Sequence, residues 1–119
     1  MGTFKDLDIW KLSIELSLEI YKLTSIFPKE EIYGITSQMR RSATSVPLNV
    51  SEGDARKSTK ENIHFLHIAF GSLNELETLL ILSEKLGYCN SNDYTEKLSI
   101  IRMKVAKYIQ YLKSRLSKQ

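Results

Sequence analysis

Cysteine is almost absent from this sequence: Cys89 is the only one in 119 residues. A lone thiol cannot close an internal disulfide, so the chain is not a small cross-linked secreted scaffold. Proline and glycine are scarce as well, at two and five residues, which excludes collagen-like and low-complexity chains. Long apolar runs are missing, since the longest, Leu79–Leu82, falls far short of the ~20 residues that cross a bilayer. Near the N-terminus Lys5, Asp6, Asp8, Lys11, Glu15, Glu19 and Lys22 leave no room for a signal-peptide core. A large excess of one charge is lacking too. Seventeen basic residues against fourteen acidic ones give +3, which excludes a disordered polyelectrolyte and a polybasic tail. The expectation is a soluble, cytoplasmic protein folded as one domain over residues 1–119, with no membrane partner.

What is present is helical periodicity. Turn signals divide the chain into helices of about 7–27, 29–54, 58–86 and 93–116. Phe27-Pro28 closes the first, because proline disfavours helix in the residue before it. Ser58-Thr59-Lys60-Glu61 has the spacing of a capping box for the third, and Gly87 suits its left-handed C-terminal turn. Four helices joined by short loops predict an all-α, antiparallel up-down four-helix bundle. Pro47 falls inside the second helix, where it removes a hydrogen bond and crowds the carbonyl of Ala43. A kink or break is expected there, with Ser42, Thr44 and Ser45 available to satisfy freed backbone groups.

Projection at 100° per residue gives the second helix one stripe, Ile32, Ile35, Met39, Ala43, Val46 and Val50. The fourth gives Tyr94, Leu98, Ile101, Val105, Tyr108, Ile109, Leu112 and Leu116. The third has a main arc of Phe65, Leu66, Ile68, Ala69, Leu73, Leu76, Leu79, Leu80 and Leu86, with Ile63, Phe70 and Ile81 outside it. The first helix carries two stripes. Ile9, Leu12, Leu16, Ile20, Leu23 and Phe27 form one, and Trp10, Ile14, Leu18 and Tyr21 form another on the far side. One flank between them holds Ser13, Ser17 and Thr24. A bundle core takes one stripe per helix, so the second predicts a homo-oligomer interface built on Trp10, Ile14, Leu18 and Tyr21. A monomer with a wide core and a few exposed apolar residues is the competing reading.

Catalytic patterns are thin. Glu61-Asn62-Ile63-His64 has the Glu-x-x-His spacing of bundle di-metal sites, but such sites need two such motifs and two further glutamates. His64 and His67 project to the polar side, and Cys89 has no activating neighbour in sequence. No metal, no cofactor and no small-molecule substrate are expected, and the chain reads as a non-enzyme. Charge says more. Residues 91–119 hold seven cations against two carboxylates, and Lys97, Lys104, Lys107, Arg115 and Lys118 share a side with Tyr111. Such a line could follow a phosphate backbone and stack a base. Arg40, Arg41, Arg56 and Lys57 form a second basic group. The same cations equally suit a solvated helix face.

Several stretches resemble a known family. They are Phe4–Trp10, Phe27–Gly34, Gln38–Ala43, Ser45–Gly53 with its Pro-x-Asn-x-x-Glu-Gly pattern, Ile68–Glu77 with Gly-Ser-x-x-Glu-Leu-Glu, and Leu86–Tyr88. Together they resemble the four-helix-bundle proteins encoded in intervening sequences of bacterial 23S ribosomal RNA genes. The resemblance implies a ring-shaped homopentamer with no established enzymatic activity or cofactor. Relatives include accessory variability proteins of diversity-generating retroelements, thought to engage a reverse transcriptase and nucleic acid. The implied partners are therefore the chain itself, and RNA or a nucleic-acid enzyme; a purely structural or protein-interaction scaffold is the alternative. The motif residues Gln38, Arg41, Asn49, Glu52 and Glu75 are expected to form a structural polar network around the proline.

Overall fold

The computed structural model describes residues 2–117. It contains α1 (Asp8–Thr24), α2 (Ile35–Asp54), α3 (Thr59–Lys85) and α4 (Asn92–Ser117), with 3-10 turns at Phe4–Asp6 and Lys29–Glu31. No strand occurs among the described residues. Each helix packs on the next, α1 closes against α4, and the diagonal pairs lie farther apart, which gives a rod of 51 × 20 × 20 Å. That order of contacts is what an up-down path around a bundle requires.

The second segment differs from its expected helix over 29–54. Pro28 starts only a single 3-10 turn, and α2 begins at Ile35. Gly34 precedes it as the N-cap, and the side chain of Glu31 reaches back, its Oε1 accepting from the Ile35 N–H at 3.4 Å. Likewise α1 stops at Thr24, and a turn with Phe27 N–H on the Thr24 carbonyl carries the chain to Pro28. Ser58 caps α3 by accepting from the Glu61 N–H at 3.3 Å. The α3 exit follows the Schellman pattern, with Gly87 at φ +84°, its N–H on the Glu84 carbonyl and the Tyr88 N–H on the Ser83 carbonyl.

The core is heptad-spaced. On α3, Leu66, Ala69, Leu73, Leu76, Leu80 and Ser83 are all at most 1% exposed. This three-four repeat keeps one seam toward the neighbouring helices. It explains why Ser83 is buried where the apolar arc expected Leu86, and why Ile68 and Leu86 point outward. Ile63, expected outside the arc, is buried. The stripes on α2 and α4 face inward as expected, apart from exposed Ile32, which precedes α2. On α1 the hydroxyl flank turns inward: Ser13, Ser17 and Thr24 are buried, while Leu12 and Leu23 are half-buried.

The expected break at Pro47 is absent, and α2 runs unbroken through it. The carbonyl of Ala43 loses its donor because proline has no N–H. Ser17 of α1 shares its one hydroxyl proton with it: the hydroxyl is 3.2 Å from the Ala43 oxygen and 2.9 Å from the Ser13 oxygen. The compensating group therefore comes from the neighbouring helix. Ser42 shares its one hydroxyl proton between the Gln38 carbonyl and Glu75 of α3, Thr44 donates to the Arg40 carbonyl, and the Ser45 hydroxyl turns to Ser72 on α3.

Candidate functional site

The second apolar stripe of α1 lies on an open face of the molecule. Leu18 is 67% exposed and Tyr21 46%, whereas Trp10 and Ile14 are half-buried. Phe4 of the N-terminal turn meets the Trp10 ring edge-on at 5.4 Å. The capping box of Thr3 and Asp6 holds that turn in place. Between α1 and α2 these rings, with Ile14, Ser17, Thr44, Pro47, Leu48 and Ser51, line a groove of about 470 Å³. Leu48 stands at its rim, 65% exposed. Toward the C-terminal end of α1 the seam continues, through Thr44, into an open cleft of about 280 Å³ lined by Tyr21, Ile32, Thr36, Ser37, Arg40 and Arg41. Proline within α2 thus both forms the groove wall and draws Ser17 of α1 to the Ala43 carbonyl.

The basic residues separate into two kinds. Arg40 is engaged by α1: its Nε donates to Thr24 Oγ1 at 2.8 Å and its guanidinium sits 4.6 Å from the Tyr21 ring centre. A cation placed there also suits the negative end of α1. Lys97 pairs with Glu19 at 2.9 Å and Lys104 with Asp8 at 3.7 Å, so both fasten α4 to α1. Arg56 pairs with Glu52 and lies over the Phe65 ring at 4.9 Å. In contrast, Arg41, Lys57, Lys107 and Arg115 are exposed and have no carboxylate partner among the described residues. Exposed Tyr111 stacks on Tyr108 at 6.3 Å, with the Arg115 guanidinium 5.8 Å from the Tyr111 ring centre. Lys118 lies outside the described residues. The single basic line expected along α4 therefore breaks into a structural half and a free half.

The five motif residues do not form one network. Glu75 accepts from the Ser42 hydroxyl across α2 and α3. Asn49 donates to the carbonyl and hydroxyl of Ser45, whose hydroxyl is 2.8 Å from that of Ser72 on α3. Glu52 belongs to Arg56, while Gln38 and Arg41 are exposed without a side-chain hydrogen bond among the described residues. The motif's glycine has a clear task. A Cβ on buried Gly53 would lie 2.6 Å from Asn62 Oδ1 and 3.1 Å from Phe65 Cβ, so glycine lets α2 and α3 close upon each other. Burial pushes the phenol of Tyr108 up, against the lowering effect of the neighbouring Asn62.

No catalytic constellation emerges among the described residues. No group of three metal-ligating side chains exists there, and Glu61, His64 and His67 are exposed. Burial, then the charges of Glu84 and Asp93, push the Cys89 thiol up, opposite to nucleophile activation. Sequence reasoning missed two cross-bundle contacts. Arg102 meets Glu77 at 2.6 Å between α4 and α3, and Tyr88 donates to Glu31 at 2.9 Å between the two connections at one end of the rod. Neither pair is close in sequence, so only the bundle path could have revealed them.

The family model described as 23S rRNA-intervening sequence protein matches residues 5–112. Among solved structures, the chain is similar to a Bacteroides thetaiotaomicron protein of unknown function from the S23 ribosomal protein family. The TM-score is 0.79 at 24% identity, over 86% of this chain and 95% of that one. None of the curated proteins matches the chain.

Proposed function

The chain belongs to the family of 23S rRNA-intervening sequence proteins, and from that premise we propose that it is a non-enzymatic, self-assembling bundle that works as a ring-shaped homopentamer. The up-down path of its helices and a bend at Pro47 are part of this proposal. The observation that supports it most is the open α1–α2 face, where Leu18 and Leu48 project beside the groove of Trp10 and Ile14. Each large apolar side chain taken out of water there would favour association by ~1.5–3 kcal/mol before entropy is subtracted. Apolar ridges beside a groove with few charges are what interface cores have. The test is the mass of Leu18→Glu/Leu48→Glu in solution. Both residues are already exposed, so the helices stay folded, and the variant is expected to run as single copies while the native chain does not. An unchanged assembly in that variant contradicts this face.

RNA, or a nucleic-acid enzyme, is the proposed partner of the assembled ring. Support comes from the cations that carry no carboxylate, Arg41, Lys57, Lys107 and Arg115, with Tyr111 available for stacking. Repetition around a ring would multiply weak contacts. Lys107→Glu/Arg115→Glu is expected to abolish RNA binding at low salt, whereas Lys97→Gln, which removes a cation already paired with Glu19, leaves it nearly unchanged. Equal losses in the two variants contradict this surface. No RNA binding by the native protein at any salt favours the scaffold reading, in which the ring's partner is another protein. The proposal includes no cofactor, no metal and no small-molecule substrate, and a cytoplasmic location.

A further inference from the structure

We infer that the outer face of α3 is the surface on which a second copy seats its α1–α2 face, so that copies join head to tail. This rests on the self-assembly proposed above and names its other half. The stretch Asn62–Asn74 contains no Asp, Glu, Lys or Arg. By length and composition α3 is apolar enough to cross a membrane, yet only 33% of its most apolar window is buried in the bundle. A helix face left to water normally carries charge, whereas the centres of protein interfaces are depleted of it.

The exposed stripe is specific. Ile68 and Leu82 stand outward on one side of the helix, with Gly71 one turn after Ile68 and exposed Glu75 midway between the two. Gly71 has no atom of its own molecule within 4 Å of where a Cβ would be. Nothing in the bundle requires glycine there, and glycine inside an exposed helix weakens it relative to alanine. The missing side chain leaves a shallow slot beside Ile68, one turn away, suited to a projecting leucine such as Leu18. Charge matches as well. The formal charges between Glu61 and Lys85 are all carboxylates, Glu75, Glu77 and Glu84, and Glu75 is exposed beside the stripe. On the α1–α2 face the charges outside the ion pairs are Lys11, Glu15 and Lys22 around Leu18, and Arg41 on α2, so cations outnumber the one carboxylate, and α2 holds no carboxylate before Glu52.

Geometry decides the mode. Helices α1 and α3 occupy diagonal corners, farther apart than adjacent helices, so their outer faces point apart. Two different faces that fit each other make a heterologous contact, which closes into a ring when the rotation allows. An α1–α2 face that paired with its own copy would instead give a two-fold dimer and leave α3 bare.

A mixing experiment tests this, with circular dichroism confirming helix content in each variant. Leu18→Glu/Leu48→Glu spoils one face, and Ile68→Glu/Leu82→Glu spoils the other. Each variant alone is expected to be a single copy by light scattering, and an equal mixture is expected to give a two-copy particle through the one intact pair of faces. If Ile68→Glu/Leu82→Glu assembles like the native chain, α3 is not the second face and the inference fails while self-assembly stands. If the native chain is itself a single copy, the self-assembly reading fails and takes this inference with it. Loss of binding to phosphatidylcholine vesicles in the α3 variant, with its assembly unchanged, would overturn the inference in favour of a lipid occupant.

Discussion

Ser17 and Pro47 are a pair, though 30 positions apart in the chain and on different helices. The serine hydroxyl answers a carbonyl that the proline leaves without a donor. Ser17→Ala should therefore cost about 1–3 kcal/mol, the penalty of a buried acceptor left alone. In a Pro47→Ala background the helix regains its own N–H, and the same change should cost much less. A double-mutant cycle by urea unfolding measures this, and equal costs in both backgrounds would contradict the pairing. Gly53 makes a second prediction. Alanine normally stabilises a helix interior by about 1 kcal/mol over glycine, but here its Cβ would meet Asn62 and Phe65 at 2.6 and 3.1 Å. Gly53→Ala should lower stability by about 1–3 kcal/mol, as overpacking does, and any gain would refute the close approach. The sequence makes Pro47 and Gly53 conspicuous, yet their partners belong to other helices. Local spacing shows what is missing at a residue and not which distant group supplies it.

Helices are more legible than their outer surfaces. The inward stripes of α2 and α4 follow from apolar spacing alone. On α1 and α3 the heptad seam includes Ser13 and Ser83, small polar residues that an apolar projection passes over. Similarly, the cations of α4 share one side in projection, but Lys97 and Lys104 are held by carboxylates of α1 that only the packing brings near. The connections carry a further prediction. Tyr88 joins them through Glu31, and that hydrogen bond, followed by burial, raises its phenol above the usual 10.0. Burial raises Tyr94 and Tyr108 too. A raised acid keeps its proton longer in the folded state, so the stabilisation is complete below the unfolded value and fades as pH rises through the folded one. The melting temperature should fall once pH exceeds about 10, less steeply in Tyr88→Phe. An identical slope in that variant would remove Tyr88 from the account.

At the scale of the whole molecule, a rod 20 Å across exposes apolar surface on two corners that its own core cannot use. The doubled stripe of α1 is visible in the sequence because both stripes lie within one helix. The groove is not, since Leu48 and Pro47 reach it from α2 and Phe4 from the N-terminal turn. The most direct test of the central claim is the mass of the native protein by light scattering at micromolar concentration. A self-assembling bundle gives a particle of several 13.7-kDa chains, five for the proposed ring. A single 13.7-kDa particle at that concentration would contradict it.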